Sequence, residues 1–582
     1  MQTRRRLSFA GHLRRVLLCW ACWVGVGLVV AGHTARAQAA DTLDVPTALR
    51  EAIISSMARA ANGTPQLDEA LVRLYARRQW SPAWLADGRP TPQAAAVVAF
   101  LGRVPALGLP PEAYDAQGLA DEMALMAATP LGLTERIRFD VSLSRSLLLL
   151  VSHLAQGRVD PASLGFSLSR GPDIDLAAAA RDVSTADDVP AAIRRVEPQY
   201  AGYKALEAAL ARYQALASDS TLRPPHVTRA SLRPGDTYAD MAALRRLLFA
   251  FGDLATDSTT RADTANPLAY TSEIVAAVER FQTRHGLEAD GIVGPATFAA
   301  LRVPITHRVT QMELSLERWR WLPRRPPPRY IAINIPAFRL FAFDSDSIAA
   351  HPDATMKVIL GASRMRRATP VFEGTMRQIV FRPYWDVPKS IAIKELIPLL
   401  RPDTGYALHQ SLEIVRGPDV HATLFPITAR NLDRVAAGTL RLRQRPGANN
   451  ALGLVKFVFP NAHNVYLHGT PETELFLRAR RDFSHGCIRV EDPVGLAAFA
   501  LGGQDDWSPS SIMAAMHADQ PRTVTLARPI EVFILYATAV VNRDGAIDFY
   551  PDLYGHDAAL ARVLDQATAR AAQPRRPLAE DL

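Results

Sequence analysis

Cysteine is almost absent from this chain: three occur among 582 residues, at Cys19, Cys22 and Cys487. Glycine (33) is outnumbered by proline (42), and there is neither a collagen-like period nor a long low-complexity tract, which argues against a fibrous or largely disordered chain. Long apolar runs are missing too, apart from Val16 to Ala31, sixteen residues without a charge. An excess of one charge is likewise scarce. The net charge is +8, but residues 1–37 hold six arginines and no acid, so everything that follows carries a net charge of only +2. A body so near neutrality has no global electrostatic footprint for nucleic acid. What is present is ordinary globular composition, 48% hydrophobic and 21% charged. The length implies about three or four domains at roughly 100–200 residues each.

The N-terminus reads as an export signal. Arg4, Arg5, Arg6, Arg14 and Arg15 precede the apolar run, and Ala35-Arg36-Ala37 and Ala37-Gln38-Ala39 are small-x-small cleavage sites. The expectation is a signal peptide over residues 1–39 and a periplasmic body. An uncleaved membrane anchor is the alternative, although sixteen residues are short for a span of about 20. Cys19 and Cys22 would leave with a cleaved signal. Cys487 would then stand alone in an oxidising compartment, where an unpaired thiol is a hazard unless its reactivity is used.

The body reads as an α+β multidomain chain. Residues 41–235 have helical periodicity, as in Tyr203, Leu206, Leu210, Tyr213 and Leu216, and form an expected helical scaffold domain. Tyr75, Trp80 and Trp84 among basic residues suggest either a groove or aromatic faces packing a core, the latter being the simpler reading. Residues 236–303 predict three short helices around the turn signals Gly286, Asp290-Gly291 and Gly294-Pro295. The text from Ala277 to Leu287, with Asp290-Gly291-Ile292-Val293-Gly294 and Thr297, resembles the peptidoglycan-binding domain of cell-wall hydrolases. Wall binding and an inert spacer both fit it. Beyond the stiff Arg324–Arg329 linker the pattern turns to strands: Tyr330–Ile335, Phe338–Phe343, Met356–Leu360, Met376–Phe381, Val455–Phe459 and Val465–His468, then Pro529–Val541 and Ile547–Tyr550. Residues 328–555 are the expected β-rich catalytic domain, with 395–450 an inserted cap, either a lid or a packing elaboration. Residues 556–582 read as a C-terminal tail.

The chemistry concentrates in Tyr466-Leu467-His468-Gly469-Thr470 and Ser484-His485-Gly486-Cys487-Ile488-Arg489. A free thiol is mostly protonated at neutral pH, and an imidazole beside it can take the proton and leave a thiolate–imidazolium pair. N–H groups around Gly486 and Cys487 can donate to a developing oxyanion, at about 3–4 kcal/mol per donor. His485 would share a face with Cys487 if that stretch is extended, whereas His468 would reach the thiol through the fold, so spacing alone leaves the base open. A zinc site built from His468, His485 and Cys487 lacks the paired spacing usual for that metal.

His468, fifteen residues, then Ser484-His485-Gly486-Cys487 resembles the signature of L,D-transpeptidases. So do Tyr330–Pro336, Met356-Lys357-Val358, Thr369-Pro370 and Pro383–Ser390, and the whole layout is similar to the large, capped Gram-negative subfamily. Arg489 stands where the short signature often has Asn. The resemblance implies Cys487 as nucleophile, His468 as base oriented by the carbonyl of Gly469, and His485 with the N–H groups of Gly486 and Cys487 at the oxyanion site. Tyr466, Trp385, Ser484 and Arg489 would line the substrate cleft. It further implies peptidoglycan stem peptides and glycan as partners, no metal or cofactor, carbapenem acylation of Cys487, and 3→3 crosslinks made through a thioester with release of D-alanine. Hydrolysis of the same acyl-enzyme, an L,D-carboxypeptidase, is its near alternative. A wall cysteine endopeptidase is disfavoured because only His517 and His556 follow Cys487. A non-catalytic peptidoglycan-binding scaffold is the remaining alternative.

Overall fold

The computed structural model describes residues 44–571 except 60–64, 170–173, 227–229, 256–265, 345–351, 364–366 and 418–420. The expected signal peptide, with Cys19 and Cys22, and the last residues of the expected tail lie outside the described residues.

The helical region is organised around Leu133–Gln156. Its apolar positions Phe139, Leu143, Leu147, Leu150 and Leu154 are buried in one core that runs from Ala48 to Val196. Tyr75 and Trp84 belong to that core rather than to a groove. Their polar ends are satisfied internally: the Tyr75 hydroxyl donates to Asp140 (2.6 Å), and the Trp84 indole donates to Ser144 (2.8 Å).

The three expected small helices are Met241–Ala250, Ser272–Arg284 and Pro295–Leu301. They are not a separate bead. Their core residues Phe251, Ile274, Val278 and Phe281 are continuous with Tyr213 of the preceding helix and with Ala539, Ile547 and Phe549 far along the chain. Buried Arg284 fastens the join, donating to Asp253 (2.8 Å) and to the Ile547 carbonyl. The proline-rich linker is likewise tied down: Arg324 accepts from the Gln199 N–H at 2.7 Å and donates to the Arg195 carbonyl at 2.6 Å.

The C-terminal half is a closed sheet. Around it run Ala354–Gly361, Ile488–Val490, Leu467–His468, Val455–Val458, Phe372–Phe381, Arg522–Leu535, Arg329–Asn334 and Arg339–Asp344, the last pairing back onto Ala354–Gly361. Asp482–Ser484 adds a short parallel rung beside the end of Ala354–Gly361. Most pairs are antiparallel, but Leu467–His468 runs parallel to Ile488–Val490, and Arg522–Leu535 parallel to Arg329–Asn334. Alternate residues of every strand fill the interior: Ile331, Ile333, Leu340, Val358, Leu360, Ile379, Val455, Phe457, Leu467, Ile488, Val532 and Ile534 form one core.

The insertion is a small unit with its own core, from Val387 through Leu400, Ile414 and Leu432 to Leu442. Its four-stranded antiparallel sheet runs Trp385–Asp386, Arg441–Gln444, Leu412–Arg416, Thr423–Phe425. It therefore starts at Trp385, earlier than the expected 395, because Trp385 and Asp386 pair with Gln444 and Arg443 instead of joining the barrel.

Residues 556–571 differ from the expected tail. His556–Ala571 is a helix whose Leu560 is fully buried in the barrel core. Asp557 accepts from Arg318 and from the Thr538 hydroxyl, each at 2.6 Å, and all three are buried. Asp557→Ala would leave a buried guanidinium uncompensated, so a loss of about 3–5 kcal/mol is expected in the first denaturant unfolding transition.

Candidate active site

Strand register builds the site. Leu467 lies opposite Ile488 and His468 opposite Arg489 in the parallel pair, while Lys456 lies opposite His468 in the neighbouring antiparallel pair. Leu467, Ile488 and Phe457 point into the barrel core. Side chains alternate along strands, so Tyr466, His468, Arg489 and Lys456 share the outer face. Cys487, one residue before its strand and half-buried, falls beside Tyr466: the Ile488 N–H donates to the Tyr466 carbonyl at 3.1 Å. Two pairs of candidate residues about twenty positions apart, Tyr466 with His468 and Cys487 with Arg489, are thus brought together by two short strands.

His468 is buried, and its Nδ1–H donates to the Gly469 carbonyl at 2.5 Å. That bond fixes the tautomer and leaves Nε2 as the basic nitrogen. The carbonyl is itself held by packing. Gly453 lies against the Gly469–Thr470 backbone so closely that a Cβ at Gly453 would fall 2.6 Å from the Thr470 nitrogen, and its φ is +63°. Burial, then Arg489, pushes the His468 pKa down to about 3, against the opposing Gly469 hydrogen bond. Burial likewise raises the Cys487 thiol above its ordinary value, although the Tyr466 hydrogen bonds and the Lys456 charge pull the other way. The resting pair is therefore neutral thiol and neutral imidazole, unlike the ion pair expected from the sequence. Desolvation disfavours the charged form of each. The thiol donates to the Asn464 carbonyl at 3.8 Å. Asn464 sits in a turn (φ +54°) braced by Asn461, whose side chain bonds Phe459, His463 and Val465.

The Ser484-His485-Gly486-Cys487 turn departs from expectation at three residues. Ser484 does not line the cleft. It is buried, its hydroxyl donates to the Cys487 carbonyl at 2.5 Å, and it accepts the Gly486 N–H at 3.1 Å. The Gly486 N–H is thereby used up within the turn. The Cys487 N–H, without a partner among the described residues, is the backbone donor left for an oxyanion. Gly486 has φ +121°, which any side chain would strain, and its carbonyl is held by the Thr369 hydroxyl at 2.9 Å. His485 turns toward the cap, where its Nε2 meets Glu395 at 2.7 Å. Glu395 also accepts from Arg367 at 2.6 Å. Burial pushes Glu395 up, but His485 and Arg367 together hold it below its ordinary value. Glu395 lies in the π-turn Ala392–Leu396, a local widening that often marks functional positions.

Trp385 projects from the first cap strand, and its side chain meets the Tyr466 hydroxyl. Arg489 forms an ion pair with Glu472. Lys456 places its Nζ 3.9 Å from the centre of the Tyr466 ring. Sequence reading missed Lys456, Glu395, Gly453 and the Asn461–Asn464 turn. Only Lys456 left a trace there, as a charge inside an apolar strand. Among the described residues no three His, Cys, Asp or Glu side chains are grouped to hold a metal ion.

Residues 328–514 match the L,D-transpeptidase catalytic domain, residues 237–301 a domain described as "Putative peptidoglycan binding domain", and residues 69–210 a scaffold domain. A Haemophilus influenzae protein described as a "Putative L,D-transpeptidase" is 28% identical over 228 residues, 39% of this chain and 44% of that protein. The chain thus spans less than half the length of the curated relative it matches. The catalytic match contains Lys456, Tyr466, His468 and the whole Ser484–Cys487 turn.

Proposed function

We propose that the protein is a peptidoglycan L,D-transpeptidase of the periplasm that joins stem peptides by 3→3 crosslinks, with Cys487 as nucleophile and His468 as general base. The observation that carries this reading is the shared face of Tyr466, His468, Cys487 and Arg489, inside a segment that matches the L,D-transpeptidase catalytic domain.

The donor is a tetrapeptide stem. The Cys487 thiol gives its proton to His468 Nε2 as sulfur adds to the carbonyl carbon of the third residue, and the Cys487 N–H receives the oxyanion. Because the pair rests neutral, the proton moves with the attack rather than before it. Collapse breaks the carbon–nitrogen bond. The proton on His468 passes to the departing amine, D-alanine leaves, and a thioester remains on Cys487. The side-chain amine of the third residue of a second stem then adds to the thioester, its proton goes to His468, and the sulfur leaves as thiolate and is reprotonated there. The new amide is the crosslink. Residues 236–303 would hold the glycan nearby, and the cap, through Trp385 and Glu395, would cover the donor.

Incubation with disaccharide-tetrapeptide, followed by mass analysis of protein and products, tests the reading. The expected result is an adduct on Cys487 and a crosslinked dimer. Tripeptide alone would make the protein an L,D-carboxypeptidase. Shortening of isolated crosslinked dimers without thioester exchange would make it an endopeptidase. Absence of an adduct with both tetrapeptide and a carbapenem would overturn the assignment of Cys487.

A further inference from the structure

Lys456 is an anomaly in its strand. Its neighbours Val455 and Phe457 are buried in the barrel core, and the lysine itself is half-buried on the outer face. A lysine so placed usually finds a carboxylate, since a desolvated ammonium without a counter-charge is costly. Among the described residues no carboxylate lies within ion-pair distance of it. Asp386, the one carboxylate whose charge acts on it, is engaged by Arg441. Instead the side chain leans from its register position opposite His468 across the face of Tyr466, the residue beside Cys487 and hydrogen-bonded to it.

We propose that Lys456 is the charge partner of Cys487: its ammonium, carried over the Tyr466 ring, stabilises the sulfur anion during attack and again when the thioester is released. The inference rests on the reading of this site as a cysteine acyltransferase and adds a residue to it. The groups facing the sulfur and the amine are all consistent with that role. Tyr466 donates to the sulfur, Asp386 is the other anion that Lys456 senses, and Arg489 and Lys456 both disfavour a proton on His468. Lys456 acts on both groups, favouring the sulfur anion and disfavouring a proton on His468. Burial, the largest influence on Lys456, lowers its pKa, while Cys487 and Asp386 raise it: an amine that waits for an anion to form beside it.

The test is alkylation of Cys487 in the full chain, which requires no wall substrate. With iodoacetamide near neutral pH, Lys456→Met and Lys456→Gln are expected to react about tenfold more slowly than the parent, with the pH profile displaced upward by about one unit. Lys456→Arg should restore most of the rate. Iodoacetate, which is anionic, should lose more than iodoacetamide in the Met and Gln variants, because a local positive field also draws in the reagent. Unchanged rates and an unchanged reagent ratio in both variants would overturn the proposal, as would a rate that Arg fails to restore while Gln retains it. Either outcome would leave the transpeptidase reading intact, whereas a parent protein that alkylates normally but never takes up tetrapeptide or carbapenem would defeat that reading and leave only the pairing of Lys456 with the thiolate standing.

Discussion

Cys487→Ala is expected to abolish adduct formation and to lower crosslinking by at least about a thousandfold, leaving only what binding and the Cys487 N–H contribute. The expectation is large because nothing nearby can substitute. Cys487 is the sole free cysteine among the described residues. Its face otherwise offers a phenol that burial holds protonated far above the working range, two cations and the base itself. Serine at the position should do little better. Its hydroxyl is a far weaker acid than a thiol, and the imidazole that must receive the proton has a pKa of only about 3. The variant should stay folded, since the hydrogen bond that the thiol donates is long, to Asn464 at 3.8 Å, and its loss is worth about 1 kcal/mol. Thermal unfolding alongside the product assay separates the two effects. Crosslinking at parental rates by a folded Cys487→Ala protein would sink the assignment.

Much of this site could be read from the chain alone, and the parts that could not share a cause. His468, Gly469 and the Ser484–Cys487 turn are local: spacing, glycine and the solitary thiol announce them. The barrel strands are equally legible, because alternating β-branched and aromatic residues can bury only one face. Lys456 becomes part of the site only through the pairing of Val455–Val458 with Leu467–His468, and register between strands is not written in either strand by itself. Glu395 reaches His485 across ninety positions, from an insertion whose fold no local pattern fixes. Ser484 shows the converse limit. A hydroxyl beside a nucleophile suggests a substrate contact, yet the turn leaves the Gly486 N–H and the Cys487 carbonyl in need of partners, and Ser484 serves both. The expected ion pair failed for a similar reason. Two neighbouring residue types suggest proton transfer, but whether it has occurred at rest depends on burial, which only the assembled barrel and cap determine.

The neutral resting state has a consequence that pH exposes. His468→Gln keeps the hydrogen bond to Gly469 within reach but removes the base, and should lower transfer by about 10²–10⁴-fold. In the parent, loss of activity through protonation of His468 is expected only as the pH approaches about 3, not near the 6.5 of an ordinary histidine. Iodoacetamide should report no plateau of reactive thiolate at weakly acidic pH, and its rate should instead climb continuously into the alkaline range, since the thiol is raised rather than lowered. A preformed ion pair predicts the opposite: a flat, high rate from acidic pH upward. The same ring also links to stability. The unfolded chain binds a proton at His468 below pH 6.5 while the native protein does not until about 3, so across that window acidification favours the unfolded state and stability is lost at up to about 1.4 kcal/mol for each unit the pH drops. His468→Gln should remove that slope, becoming relatively more stable than the parent as the solution is acidified. The burial that keeps His468 ready as a base is therefore what acid attacks first at this site, and a parent and variant whose unfolding midpoints run parallel from pH 6.5 to 4 would show that the imidazole is not held neutral.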